Sequence, residues 1–264
     1  MRPSAVSRSL LLLPLLARGP RPAAADCVLR QDCSPGTPGC FPRATTPAER
    51  APFPLPNASG IPPACPQYAA AGCCTAAANS QLFLSFILEE NSLGEPASGG
   101  CPACSANVQA LWCAMACAPT QSDFVAVLGL RNESGAAPAL LVNVTLAQAY
   151  ADATFASCAG VGLVRSNPLL DSVTLFLAYM GQQGVATANA LVGFVLSATG
   201  AGLSLPAYNC CSFPANISEP GALGNATCPC ASCLGSCPNG SCAASSGAVG
   251  FLEGLHIQEQ YDRY

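Results

Sequence analysis

The chain contains a single histidine, His256, and its position limits the catalysis open to the protein. Nucleophilic hydrolysis by serine or cysteine needs a base within hydrogen-bond reach of the nucleophile. His256 lies in residues 243–264, a segment without cysteine, so no such pair is expected inside the cross-linked body. Paired-carboxylate chemistry needs two acids converging on one point. The only adjacent acids are Glu89 and Glu90, and neighbours on a helix diverge by about 100°. The residues give no catalytic site, and the reading is that the protein is not an enzyme.

Cysteine is the other carrier of chemistry. Cys101-x-x-Cys104 together with Cys228-x-Cys230-x-x-Cys233 has the spacing of a zinc site. A Cys-x-x-Cys pair also exchanges disulfides when nearby positive charge lowers a thiol pKa, yet no arginine lies between Arg50 and Arg131. The compartment decides among these. Residues 1–25 read as a secretory signal, with Arg2 and Arg8 at the start, an apolar stretch at 10–17, and Ala23, Ala24 and Ala25 before Asp26. In an oxidising compartment the even total of 18 cysteines becomes a disulfide framework. No metal and no cofactor are therefore expected. Six glycosylation sequons, at Asn57, Asn132, Asn143, Asn216, Asn225 and Asn239, fit the same route.

Composition sets the frame around these groups. A chain of 264 residues fits one lumenal module with appendages: signal 1–25, a cysteine-rich domain 26–242, and a linker and tail 243–264. With 24 Gly, 24 Pro and 18 Cys, it is stapled and rich in loops. Charged residues make up only 9% and the net charge is -4, so binding to nucleic acid or to an anionic membrane lacks its electrostatic basis. The 51% of apolar residues suffices for a substantial core.

The elements that must position these groups are expected to be mainly helical. Residues 26–68 form a loop layer held by bridges, and helices are expected at 81–91, 107–117, 146–161, 172–181 and 187–199. On the second of these helices, 107–117, Cys113 and Cys117 share one helical face. Strands are expected near 140–144 and 203–208. The fold class is thus α+β, helix-rich, stapled by disulfides, as a single domain with a small mixed sheet. Residues 172–214 carry no charge, and 185–205 resemble a membrane span. A span there would leave one set of cysteines and sequons in a reducing cytosol, so a buried helix is the reading. The apolar segments 81–88, 172–180 and 190–205 supply either pocket walls or plain core.

Several motifs are specific enough to carry a resemblance. CPQYAAAGCCT (65–75), CPACSANVQALWCAMACAPTQSDF (101–124), CPCASCLGSC (228–237) and the opening Cys27-x5-Cys33-x6-Cys40 resemble the N-terminal lumenal domain of the Niemann-Pick type C intracellular cholesterol transporter 1 family. The likeness runs from about Asp26 to Cys242. It implies a fold with a deep apolar pocket that binds one sterol, hydroxyl innermost, in the lumen of the late endosome or lysosome. The partners it implies are a small soluble sterol carrier of the same pathway, which delivers the ligand, and the membrane part of the transporter where the protein continues beyond Tyr264; otherwise the domain is secreted. The bridges it implies are Cys27 with Cys73, Cys33 with Cys40, Cys65 with Cys113, Cys74 with Cys117, Cys101 with Cys228, Cys104 with Cys158, and Cys230 with Cys237. Cys233 would take one of Cys210 and Cys211, leaving the other for Cys242.

The resemblance also implies a sterol site. The family places an Asn before its third cysteine, where this chain has Gly39. Its hydroxyl-binding Gln corresponds to Gln81, with Asn79 as rival, and Asp32 matches an acidic position nearby. Apolar walls are Leu29, Trp112, Leu169, Leu170, Leu203 and Leu205. Two other readings stay open at this point: a secreted structural or adhesive glycoprotein whose apolar residues are only core, and a carrier of folate or riboflavin.

Overall fold

The computed structural model describes residues 26–30, 43–55, 64–94, 99–131, 139–167, 170–183, 190–209, 211, 233 and 237. Its centre is the helix α3, Pro102–Cys117, which begins with proline at the first turn, where a missing N–H does no harm. Every residue of α3 except Ala110 and Trp112 is buried. Ala103, Ala106, Ala114 and Ala116 keep its surface low on several sides, so neighbours pack closely all round.

The neighbours are arranged in chain order. A short helix α1 (Pro47–Arg50) opens the loop layer, capped by Thr46 and Glu49 in a reciprocal capping box. The backbone and hydroxyl hydrogen bonds from Thr46 and Thr45 lower the exposed Glu49 carboxyl to a pKa of about 2. Helix α2 (Ala76–Glu89) starts at Thr75, whose Oγ1 accepts from Ala78 N at 3.2 Å. It ends in a π-helical turn, Glu90–Gly94. After α3 come strand β1 (Val125–Arg131), strand β2 (Ala139–Ala147), and helices α4 (Gln148–Cys158), α5 (Gly162–Arg165) and α6 (Val173–Gln183). Strand β3 (Ala190–Ser197) closes the order.

The sheet is mixed, in the order β1-β2-β3, with β1 antiparallel and β3 parallel to β2. The parallel pairing requires a crossover, which α4, α5 and α6 provide. One face of the sheet packs on the core: Leu140, Val142, Val144 and Leu146 are buried, and Val192, Phe194 and Leu196 pack beside them. A bulge between Val127 and Gly129 shifts the β1 register.

Two expectations fail in this region. Residues 190–197 form a strand, not part of a helix over 187–199. Apolar residues run on without alternation there, and it is pairing with β2 that sets the period: Gly193 and Val195 are exposed while Phe194 and Leu196 pack on the core. Residues 203–208 contribute a single bridge, Leu203 with Leu146, in place of a strand; Pro206 offers no N–H to a ladder. Leu203 N donates to Thr145 O at 2.8 Å, and Leu203 O accepts from Ala147 N at 3.0 Å. The approach depends on Gly202, whose φ is +90° and where a Cβ would overlap the Thr145 carbonyl. Strand β1 is an element the sequence pattern did not suggest. Among the described residues, no helix is long and apolar enough to cross a membrane.

Disulfides fasten the other elements to α3. Cys113 joins Cys65 and Cys117 joins Cys74, so both bonds leave one helical face for the segment preceding α2. Cys104 joins Cys158 at the end of α4, and Cys27 joins Cys73. These four pairs are those the resemblance implies. The fifth differs: Cys101 joins Cys233, with Cα atoms 5.3 Å apart, instead of Cys228. A sulfur makes one such bond, so Cys233 is not the partner of Cys210 or Cys211. Cys211 and Cys237 are also disulfide-bonded, while Cys33, Cys40, Cys210, Cys228, Cys230 and Cys242 lie outside the described residues.

Candidate functional site

Five of the expected apolar walls meet in one cluster. Leu29, Leu170 and Leu203 are buried in it, and Trp112 and Leu205 pack against it. They come from the loop layer, α3, the segment before α6, and the chain after β3, so the fold must bring together positions far apart in sequence. A second cluster around Ala78, Phe86, Cys113 and Ala116 lies between α2 and α3. Tyr68 and Trp112 pack against both, which puts these two rings at the seam.

Two buried amides hold the segments that form this cluster in place. Gln121 Oε1 accepts from Val28 N at 2.9 Å and Leu29 N at 2.8 Å, while its Nε2 donates to Met115 O at 2.7 Å and Ala116 O at 3.0 Å. One side chain thus ties the opening segment to the last turn of α3 and supplies partners for backbone groups that the helix end leaves unpaired. Asn107 does the same for the far end of the chain. Its Oδ1 accepts from Tyr208 N at 2.7 Å, and its Nδ2 donates to Tyr208 O at 2.9 Å and Ser157 Oγ at 3.0 Å. Asn107 therefore acts as the strand partner that residues 203–208 lack. Both residues lie inside the 101–124 motif, where the sequence marked them as distinctive without giving them a role.

The expected polar residues are distributed differently. Asn79 is buried, and its Oδ1 accepts from Ala64 N at 2.6 Å, so it braces the segment leading to Cys65. Gln81, two residues on, is half-buried on α2. Asp32, Gly39 and Leu169 lie outside the described residues.

The structure adds polar groups the sequence reading missed. Tyr150 Oη and Thr154 Oγ1, one turn apart on α4, are buried without a hydrogen-bond partner, and so are Gln109 Oε1 on α3 and Glu89 Oε1 at the end of α2. Burial pushes the Tyr150 phenol well above its ordinary range; the Thr154 hydroxyl beside it acts in the opposite sense, and Tyr68 and Tyr208 add to the rise. Tyr68 and Tyr208 both pack against the cluster in which Tyr150 is buried. Burial first, and the charge of Glu90 second, raise the Glu89 carboxyl far above the usual carboxylate range. Glu90 Oε2 is itself engaged, accepting from Ser105 Oγ at 2.7 Å. Tyr150 is one of two aromatics, with Phe155, in an alanine-rich helix, and that was the only sequence signal it offered.

Among the described residues, no group of three or more His, Cys, Asp or Glu side chains could hold a metal ion. Cys101, Cys104 and Cys233, members of the zinc-like spacing, are each in a disulfide. What the arrangement offers chemically is an interior of leucine, valine and aromatic side chains with a few unpaired hydroxyl and amide groups.

A comparison with protein families matches residues 24–252 to the Niemann-Pick C1 N terminus. The chain belongs to that family. The Niemann-Pick C1 N-terminal match takes in the six α-helices and three strands of the described residues, together with every cysteine of the chain. No curated protein matches the chain significantly.

Proposed function

We propose that this domain binds one sterol, cholesterol or a close relative, and acts in sterol transport by binding and release, without catalysis. Membership of the Niemann-Pick C1 N-terminus family over residues 24–252 carries the reading. The gathering of Leu29, Trp112, Leu170, Leu203 and Leu205 in one cluster supports it from the side of chemistry. Leu169, beside Leu170 in sequence, belongs to the same proposed wall.

The energetics suit a rigid apolar ligand. A sterol hiding on the order of 400 Å² of apolar surface gains roughly 10 kcal/mol at about 25 cal/mol per Å². Association costs several kcal/mol or more, and useful affinity remains. The hydroxyl contributes orientation, through Gln81 and Asp32 in this proposal. Gly39 supplies no side-chain partner, so a backbone group, water or Asp32 completes the contact.

The site of action proposed is the lumen of the late endosome or lysosome. There a small soluble carrier delivers the sterol, which passes on toward the membrane part of a transporter. The test is binding of labelled cholesterol to the secreted, glycosylated domain with Gln81→Ala beside it. Saturable binding that weakens in the variant supports the proposal; equal binding removes Gln81 from the site, and absence of binding to the unaltered domain overturns the function.

A further inference from the structure

The sheet has a second face that the sterol reading leaves unused. Residues paired across strands project on the same side, so the face away from the core can be read rung by rung. Leu141 stands beside Leu191, Asn143 beside Gly193, and Thr145 beside Val195. On the β1 side Ala126 is the partner of Asn143. Leu141, Leu191 and Thr145 are half-buried, Ala126 and Gly193 are exposed, and Val195 is 44% exposed. The face is therefore largely aliphatic, carries no charge across these three rungs, and is lowest at its middle.

Asn143 occupies that middle and begins the sequon Asn143-Val144-Thr145. It is the one sequon asparagine among the described residues. Both residues in register with it are the smallest available. A Cβ at residue 193 would lie 2.8 Å from Asn143 Oδ1, so any larger residue there would displace the amide. A central strand usually fills such a place with bulky side chains that pack on their neighbours. Here alanine and glycine leave a trough on either side of an asparagine amide, bordered by Leu141 with Leu191 and by Thr145 with Val195.

We infer that Asn143 carries an N-linked glycan whose first sugars lie in this trough and cover the aliphatic outer face of the sheet. The inference rests on the secretory route and is independent of the sterol. A pyranose ring has an apolar face of C–H groups suited to Leu and Val, and its hydroxyls and acetamide stay in water. The modification forms a bond from Asn143 Nδ2 to C1 of an oligosaccharide held on a polyprenyl diphosphate. The C1–oxygen bond breaks, the polyprenyl diphosphate leaves with the electron pair, and the amide proton passes to a base of the transferase. Transfer precedes folding of the sheet, because Val144, inside the sequon, is fully buried in the finished strand.

The experiment uses the full chain secreted from a glycosylating eukaryotic cell. Peptide N-glycosidase digestion in heavy-oxygen water, followed by peptide mass spectrometry, reads residue 143 as tagged aspartate where a glycan was attached. Conversion of most of the protein at this position is expected; an untagged Asn143 overturns the inference. Covering of the face is read separately. Enzymatic deglycosylation of the folded protein and the variants Asn143→Gln and Thr145→Ala should each raise binding of an apolar fluorescent dye about twofold or more, as exposure of an apolar patch does. Unchanged dye binding in the natively deglycosylated protein overturns the covering role even where a variant fails to fold.

Discussion

Gln121 Oε1 accepts the backbone N–H of Leu29 at 2.8 Å, linking buried residues 92 apart in sequence. With its three other hydrogen bonds, the Gln121 side chain joins the first segment of the domain to the end of α3. Leu29, one of the proposed sterol walls, is therefore positioned by a buried amide as well as by its packing in the core. Removing that amide leaves two N–H groups and two carbonyls to find new partners, at about 1 to 3 kcal/mol for each buried group left unpaired. Gln121→Ala should lower stability by at least about 3 kcal/mol, read as the shift in urea midpoint; a loss below about 1 kcal/mol would show that water or neighbours replace the amide readily.

Asn107 gives a more local version of the same test. Asn107→Ala should free residues 203–209 from α3 while the disulfides keep the rest of the fold in place. Amide hydrogen exchange at Tyr208 should rise toward that of an open loop, with a stability loss of about 2 kcal/mol. Unchanged protection at Tyr208 would mean that Leu203 alone anchors the segment.

These two side chains also mark how far the sequence could be read. The motif at 101–124 flagged them, but a spacing pattern does not reveal that an amide will serve as a backbone partner for residues a hundred positions away. Helices α2, α3, α4 and α6 were legible, since alanine, leucine and methionine favour them and their lengths suit. Strand β3 was not, because Ala190, Leu191 and Leu196 are helix formers and only pairing with β2 decides the period. Strand β1 was hidden by the bulge at Gly129, which breaks the alternation a strand would show. At the proposed site, family likeness picked out Leu29, Trp112, Leu170, Leu203 and Leu205, which meet in one cluster. The unpaired hydroxyls of Tyr150 and Thr154 were not, because burial of a polar atom is a property of packing alone.

Glu89 gives the domain a pH dependence of definite sign. Its carboxyl is raised from an ordinary value of 4.5, by burial first and by Glu90 second. The folded state therefore binds this proton more tightly than the unfolded chain does. The resulting stabilisation is complete below the ordinary carboxylate range and is lost as pH rises through the raised folded value. Melting temperature should accordingly fall on going from acidic to neutral pH, and Glu89→Gln should flatten that fall. Parallel profiles for the two proteins would show that Glu89 ionises in the folded state without penalty.

The Cys101–Cys233 bond is open to direct mapping. Non-reducing digestion of the secreted protein should yield a cross-linked pair of peptides containing residues 101 and 233. Recovery of Cys101 joined to Cys228 instead would contradict this bond and restore the pairing implied by family likeness.

Native mass spectrometry of the secreted domain after exposure to cholesterol in detergent bears most directly on the proposed function. One sterol mass per chain, saturating and displaced by unlabelled sterol, is the predicted result. A domain with intact disulfides that takes up no sterol under those conditions would contradict it, and the clustered leucines and Trp112 would then be core and nothing more.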